Sequence, residues 1–206
     1  PMRNFNIQEK DKINSFLFVL FLFSDILTFP LVLATGNSKI FWFFLTAILI
    51  YSLLLNKLLN KKIIFIFVCG TVIFMINILF VDYKSDVLYE YMLFIRVGIL
   101  SLYFASLIRE YKSLIKYYYF ISVVGLVISN INLSFYENTN GYMDLGINLT
   151  YIFIGLSVYY YQEGLKYRFI NYILLLFVFL EILVLGNRSS LIICMCIIVY
   201  FELAQF

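Results

Sequence analysis

Long apolar runs broken by short polar stretches dominate the chain. Read for continuous hydrophobicity bounded by charge or turn residues, they fall at about Ile13 to Leu33, Ile40 to Leu55, Ile63 to Val81, Tyr89 to Ile108, Tyr117 to Leu133, Gly146 to Tyr161, Phe169 to Leu185 and Ser190 to Phe206. Each is near the roughly 20 residues that an α-helix needs to cross a bilayer. None alternates with the period of two that barrel strands require. The pattern predicts an all-α, polytopic transmembrane helix bundle of about eight spans, built as a single multi-span membrane domain over residues 1–206.

Composition agrees and narrows the class. The 206 residues are 64% hydrophobic, 20% aromatic and 13% charged, and the mean hydropathy is +0.96. Such a chain leaves no room for a soluble domain, which argues against a cytosolic enzyme, a secreted disulfide module and a nucleic-acid binder. The lipid bilayer is the partner that composition implies. The three cysteines Cys69, Cys194 and Cys196 lie within apolar runs and form no disulfide or metal-ligand pattern.

The net charge of +3 matters less than where the basic residues fall. With the N-terminus inside, the inner segments hold Arg3, Lys10, Lys12, Lys57, Lys61, Lys62, Arg109, Lys112, Lys116, Lys166 and Arg168, whereas the outer ones hold Lys39, Lys84 and Arg188. This alternation predicts a cytoplasmic N-terminus and a multi-pass protein of the plasma (inner) membrane. Trp42, Tyr117 to Tyr119 and Tyr159 to Tyr161 sit at span edges, where amphipathic rings favour the headgroup layer. The first run is long and lacks a small-residue cleavage site, so it reads as a retained helix.

Six ionisable residues fall within or at the ends of spans: Asp25, Glu90, Arg96, Glu181, Arg188 and Glu202. A charge at the bilayer centre costs about 2.5–3.5 kcal/mol on insertion scales, so such residues face the bundle interior or a polar cavity. At the rise of an α-helix, Asp25 and Glu181 lie roughly 18 Å along spans that start inside, and Arg96 lies roughly 10 Å down a span that starts outside. All but Glu202 therefore fall in the outer half. Two arginines with carboxylates near one level suggest a polar chamber open to the outside. Arginine's fixed fork of donors suits phosphate oxygens, and carboxylates can orient it or take a proton from an acceptor hydroxyl. Glu181 and Arg188, seven residues apart, share a face if their helix continues through Gly186 and Asn187. With no histidine and no Gly-rich phosphate loop, His-dependent catalysis and ATP hydrolysis find no support, and no cofactor is implied.

Two strings go further. Tyr142-Met143-Asp144-Leu145-Gly146 precedes one span, and Gly186-Asn187-Arg188-Ser189-Ser190-Leu191 forms a turn about forty residues later. Together they resemble the loop and the outer-face turn of the Wzy-type O-antigen and capsular repeat-unit polymerases and the related O-antigen ligases. The resemblance implies a glycosyltransferase-type enzyme of polysaccharide biosynthesis. Its substrate would be an undecaprenyl-pyrophosphate-linked oligosaccharide, its cofactor none, and its partners of the flippase and chain-length regulator kind. On that basis Arg188, Glu181 and Asp144 are the candidate catalytic residues, and Arg96, Tyr142 and Asp25 the candidate substrate-binding residues. Asn187 and Ser189 replace the commoner small residues of the turn. Family members are about twice this long, so the chain is expected to be an N-terminal portion covering the first eight spans. The alternatives are a transporter or flippase for lipid-linked sugars or small solutes, and an assembly subunit whose intramembrane charges only bind partners.

Overall fold

A computed structural model describes residues 7–56, 60–136, 142–163 and 168–204; within these, the side chains of 132–144 and of residue 163 are outside the described set. Those residues are almost wholly helical, with no strand among them: α1 (Ile7–Leu22), α2 (Ser24–Thr35), α3 (Lys39–Asn56), α4 (Lys61–Phe80), α5 (Lys84–Leu93), a π-helical segment (Phe94–Ile99), α6 (Leu100–Ser106), α7 (Tyr111–Tyr136), α8 (Tyr142–Glu163), α9 (Arg168–Val184) and α10 (Arg188–Ala204). Four stretches, Lys39–Asn56, Lys61–Phe80, Lys84–Ser106 and Tyr111–Ile131, are long and apolar enough to cross a membrane; α1 and α2 make a fifth if the bent pair is one span. α9 and α10 have 17 residues each.

α1 is the hub. One of its faces, with α2, carries Val19, Phe23 and Ile26 into a buried cluster with Ile121 and Leu126 of α7, Leu149, Ile152 and Leu156 of α8, Val178 and Ile182 of α9 and Cys194 of α10. The other presents Leu17 and Phe21 to Leu45 and Ile48 of α3 and to Ile99, Tyr103 and Phe104 beyond them. α7 and α8 pack closely because Gly155 has no side chain: a Cβ there would run into Ser122 Oγ and the Tyr118 ring. Small residues at such crossings let helices approach where lipid supplies no hydrophobic drive for association. α4 is peripheral. Ile63 is its buried residue and Phe74 packs on the Tyr91 and Phe94 rings, but most of its other apolar side chains are exposed, Phe65 at 69% and Ile73 at 66%, as a lipid-facing surface would be.

Two irregularities matter below. The expected first span bends by 55° between α1 and α2. Ser24 and Thr28 turn their hydroxyls back onto the carbonyls of Phe21 and Ser24, at 2.7 and 2.8 Å, and Pro30 supplies no N–H to the turn before it; both weaken helical continuity. The expected fourth span is interrupted by the π-helical segment, a local widening often associated with functional sites.

The helices place the turns at 36–38, 81–83 and 185–187 and the start of α8 toward one end of the bundle, called the cleft end here. The start of α1, Asn56, Asn60 and Glu110 lie toward the opposite, far end.

Candidate functional site

Both irregular segments carry a charge to the same place. Asp25 stands in the first turn of α2, directly after the bend, and Arg96 on the π-helical segment. Arg96 Nη2 donates to Asp25 Oδ2 in an ion pair whose side chains are 27% and 50% exposed. The guanidinium also lies over the Phe41 ring, 4.3 Å from its centroid, where the ring quadrupole attracts the cation. The expectation of arginines and carboxylates near one level thus resolves into one specific pair.

The pair forms part of the wall of a cleft of about 640 Å³, lined also by Thr28, Phe29 and Val32 of α2, Ser38, Phe41 and Trp42 at the start of α3, Tyr89, Leu93 and Val97, and Ile147, Asn148 and Tyr151 of α8. A recess of about 80 Å³ continues from it past Ser24, Ser101 and Tyr151. Of the charged side chains among the described residues, Asp25 and Arg96 line these spaces. The cleft gathers α2, the start of α3, the C-terminal part of α5 with the π-helical segment, and the N-terminal part of α8.

The turn carrying Arg188 lies at this same end. Gly186 adopts φ 66°, a left-handed conformation suited to glycine, and ends α9. Asn187 then starts α10, its side-chain oxygen accepting from the Ser190 N–H at 3.2 Å and its carbonyl accepting from the Leu191 N–H. The helix does not continue from Glu181 to Arg188, so the shared face anticipated for those residues does not form. Instead Asn187 packs into the space left by Gly146 on α8, where a Cβ would collide with it. The two strings singled out in the sequence therefore touch, two residues from Asn148 in the cleft wall.

The other candidates separate. Arg188 is exposed at the start of α10 and joins no ion pair among the described residues. Glu181 does not line the cleft; it turns toward Asn130 of α7, and one carboxylate oxygen is buried without a hydrogen-bond partner. The side chains of Tyr142 and Asp144 lie outside the described residues. Glu90 is exposed, and Glu202, near the far end, accepts from Tyr161 Oη at 2.7 Å. Among the residues that sequence reasoning did not assign to the site, Phe41, Tyr89, Asn148 and Tyr151 line it; only their clustering at one set of span edges could have indicated them.

Fold and site together describe a helical bundle with apolar helices long enough to cross a membrane and a cleft at one end holding an ion pair. No family model matches the chain, and no curated protein or solved structure matches it either.

Proposed function

We propose that the chain is a surface polysaccharide polymerase acting at the outer face of the plasma membrane. In this reading all eight apolar runs cross the bilayer, the N-terminus is cytoplasmic and the cleft end faces outward. The observation that carries it is the contact between Gly146 and Asn187, which brings the loop string and the Arg188 turn together beside a cleft with charged and aromatic walls.

The chemistry is a glycosyl transfer. A hydroxyl of the acceptor repeat unit attacks the anomeric carbon of the donor glycan; the new C–O bond forms as the bond from that carbon to the lipid pyrophosphate oxygen breaks. The hydroxyl proton passes to the Asp144 carboxylate, and Arg188 holds the departing pyrophosphate, its planar fork matching phosphate oxygens. Arg96, Asp25 and Tyr142 hold the substrate.

The test is the length distribution of surface glycan in cells carrying Arg188→Ala at normal protein level. The expected result is single repeat units in place of a ladder. An unchanged ladder would remove Arg188 from the mechanism.

The bend beside Asp25 favours a second reading, a transporter for lipid-linked sugars, since broken helices beside intramembrane charges are how many transporters build their sites. The same cells separate the two: loss of a polymerase leaves single units on the outer surface, and loss of a transporter leaves none there.

A further inference from the structure

The cleft has both signs of charge in its wall, and they cancel. Arg96 was expected to hold phosphate, yet its guanidinium is committed to Asp25 and backed by the Phe41 ring. A pyrophosphate placed here would meet the Asp25 carboxylate at close range, and like charges at such distances repel. Among the described residues no second cation lines the space to offset that. The wall offers other things: the donors of a guanidinium beside the acceptors of a carboxylate, the amide of Asn148, the hydroxyl of Thr28, and the broad rings of Trp42 and Tyr89. A volume of about 640 Å³ falls within the range of small-ligand sites.

We infer that this cleft binds a neutral, polyhydroxylated ligand of saccharide type, with the Arg96–Asp25 pair bridging adjacent hydroxyls as donor and acceptor, and that the anionic part of any substrate lies outside it, toward Arg188. The assignment rests on the polymerase reading for the origin of the saccharide. It divides the substrate: glycan in the cleft, phosphate at the α10 turn. Both ring faces and paired polar groups then have a use, because sugar rings present C–H faces and hydroxyl edges together. Asp25, half exposed at the cleft wall, sets the selectivity, admitting hydroxyl donors and repelling anions.

Trp42 is the sole tryptophan of the chain and lines the cleft, so its fluorescence reports occupancy directly. The protein, reconstituted in lipid nanodiscs, would be titrated with neutral disaccharides containing glucose, galactose, N-acetylglucosamine or rhamnose, and separately with inorganic pyrophosphate at matched ionic strength. The expected result is a saturable shift of Trp42 emission with at least one disaccharide and none with pyrophosphate. Binding should weaken about tenfold in Asp25→Asn, which loses a charged acceptor. Asn148→Ala, which leaves the ion pair intact, should also weaken it, and decides the matter if Asp25→Asn does not fold. A saturable pyrophosphate response that strengthens in Asp25→Asn would overturn the proposal. So would silence toward every disaccharide, or a disaccharide response unchanged in both variants. A disaccharide response in a protein whose Arg188→Ala variant keeps a normal glycan ladder would sustain the saccharide cleft and reject the polymerase; a silent Trp42 with a collapsed ladder would do the reverse.

Discussion

Two polar clusters, one toward each end of the bundle, are built in opposite ways. At the far end Asn14 and Asn56 exchange amide hydrogen bonds of 3.1 and 2.9 Å, Asn56 also donates to the Ser52 carbonyl at 2.9 Å, and the Ser52 hydroxyl meets Tyr103 Oη at 3.1 Å. These four side chains are buried, uncharged and mutually paired on regular helices. Nearby, Ser15 Oγ ties α1 to the Glu110 carbonyl at 3.2 Å. At the cleft end the polar groups are charged, partly exposed, and carried by a bend and a π-helical segment. A neutral, closed network needs nothing from outside and fixes the packing of α1, α3 and α6. A half-open ion pair on distorted backbone gives up regular helix to present its groups to a cleft. The difference assigns the asparagine network to holding the bundle together and the ion pair to meeting the ligand.

Substitutions can break this contrast. The largest effect is expected from Arg96→Ala, with polymer output down about a hundredfold, the scale on which misplacing a bound substrate acts. Because the pair is partly exposed, the stability cost should stay below about 1 kcal/mol. Glycan gels and the thermal midpoint of the detergent-solubilised protein check both halves. Asn14→Leu should show the reverse, losing about 1–3 kcal/mol because the Asn56 amide is left buried without its partner, with activity per folded molecule retained. Adding Asn56→Leu should restore most of that loss, whereas a double variant no more stable than Asn14→Leu would mean that the network does not act as a pair. Gly155→Leu and Gly146→Leu should each cost about 1–3 kcal/mol through overpacking. Only Gly146→Leu should also lower polymer per folded molecule, since it displaces Asn187 beside Arg188. The smallest effect, about 1 kcal/mol, is expected for Gly186→Ala, where a side chain must adopt the left-handed conformation.

The helices were legible in the sequence, and so were the charges of the cleft end; the neutral network of the far end was not. Continuous apolar runs announce helices whatever their partners, so the eight runs match the helices to within a few residues at most boundaries. The bend at Phe23 was hidden, because α2 passes through Pro30, the visible breaker, and the back-bonded hydroxyls of Ser24 and Thr28 leave no mark on the hydrophobic pattern. The π-helical segment leaves no mark on periodicity within a uniformly apolar run. Depth arithmetic put Asp25 and Arg96 near one level, yet pairing depends on which helices are neighbours, and that is decided by the packing of α1 against two clusters. The same arithmetic could not say which neighbour Glu181 meets, which is Asn130 of α7. The use of Asn187 as the start of α10 and as the filler of the Gly146 gap could not be foreseen, since either role requires the fold.

The central claim is that the charged pair serves the ligand and the asparagine pair serves the fold. The direct measurement is the surface glycan ladder from cells carrying Arg96→Leu with Asp25→Leu, set beside cells carrying Asn14→Leu with Asn56→Leu, at matched protein level in the membrane. The account predicts that the first double variant loses the ladder and the second keeps it. A normal ladder without the Arg96–Asp25 pair would contradict it.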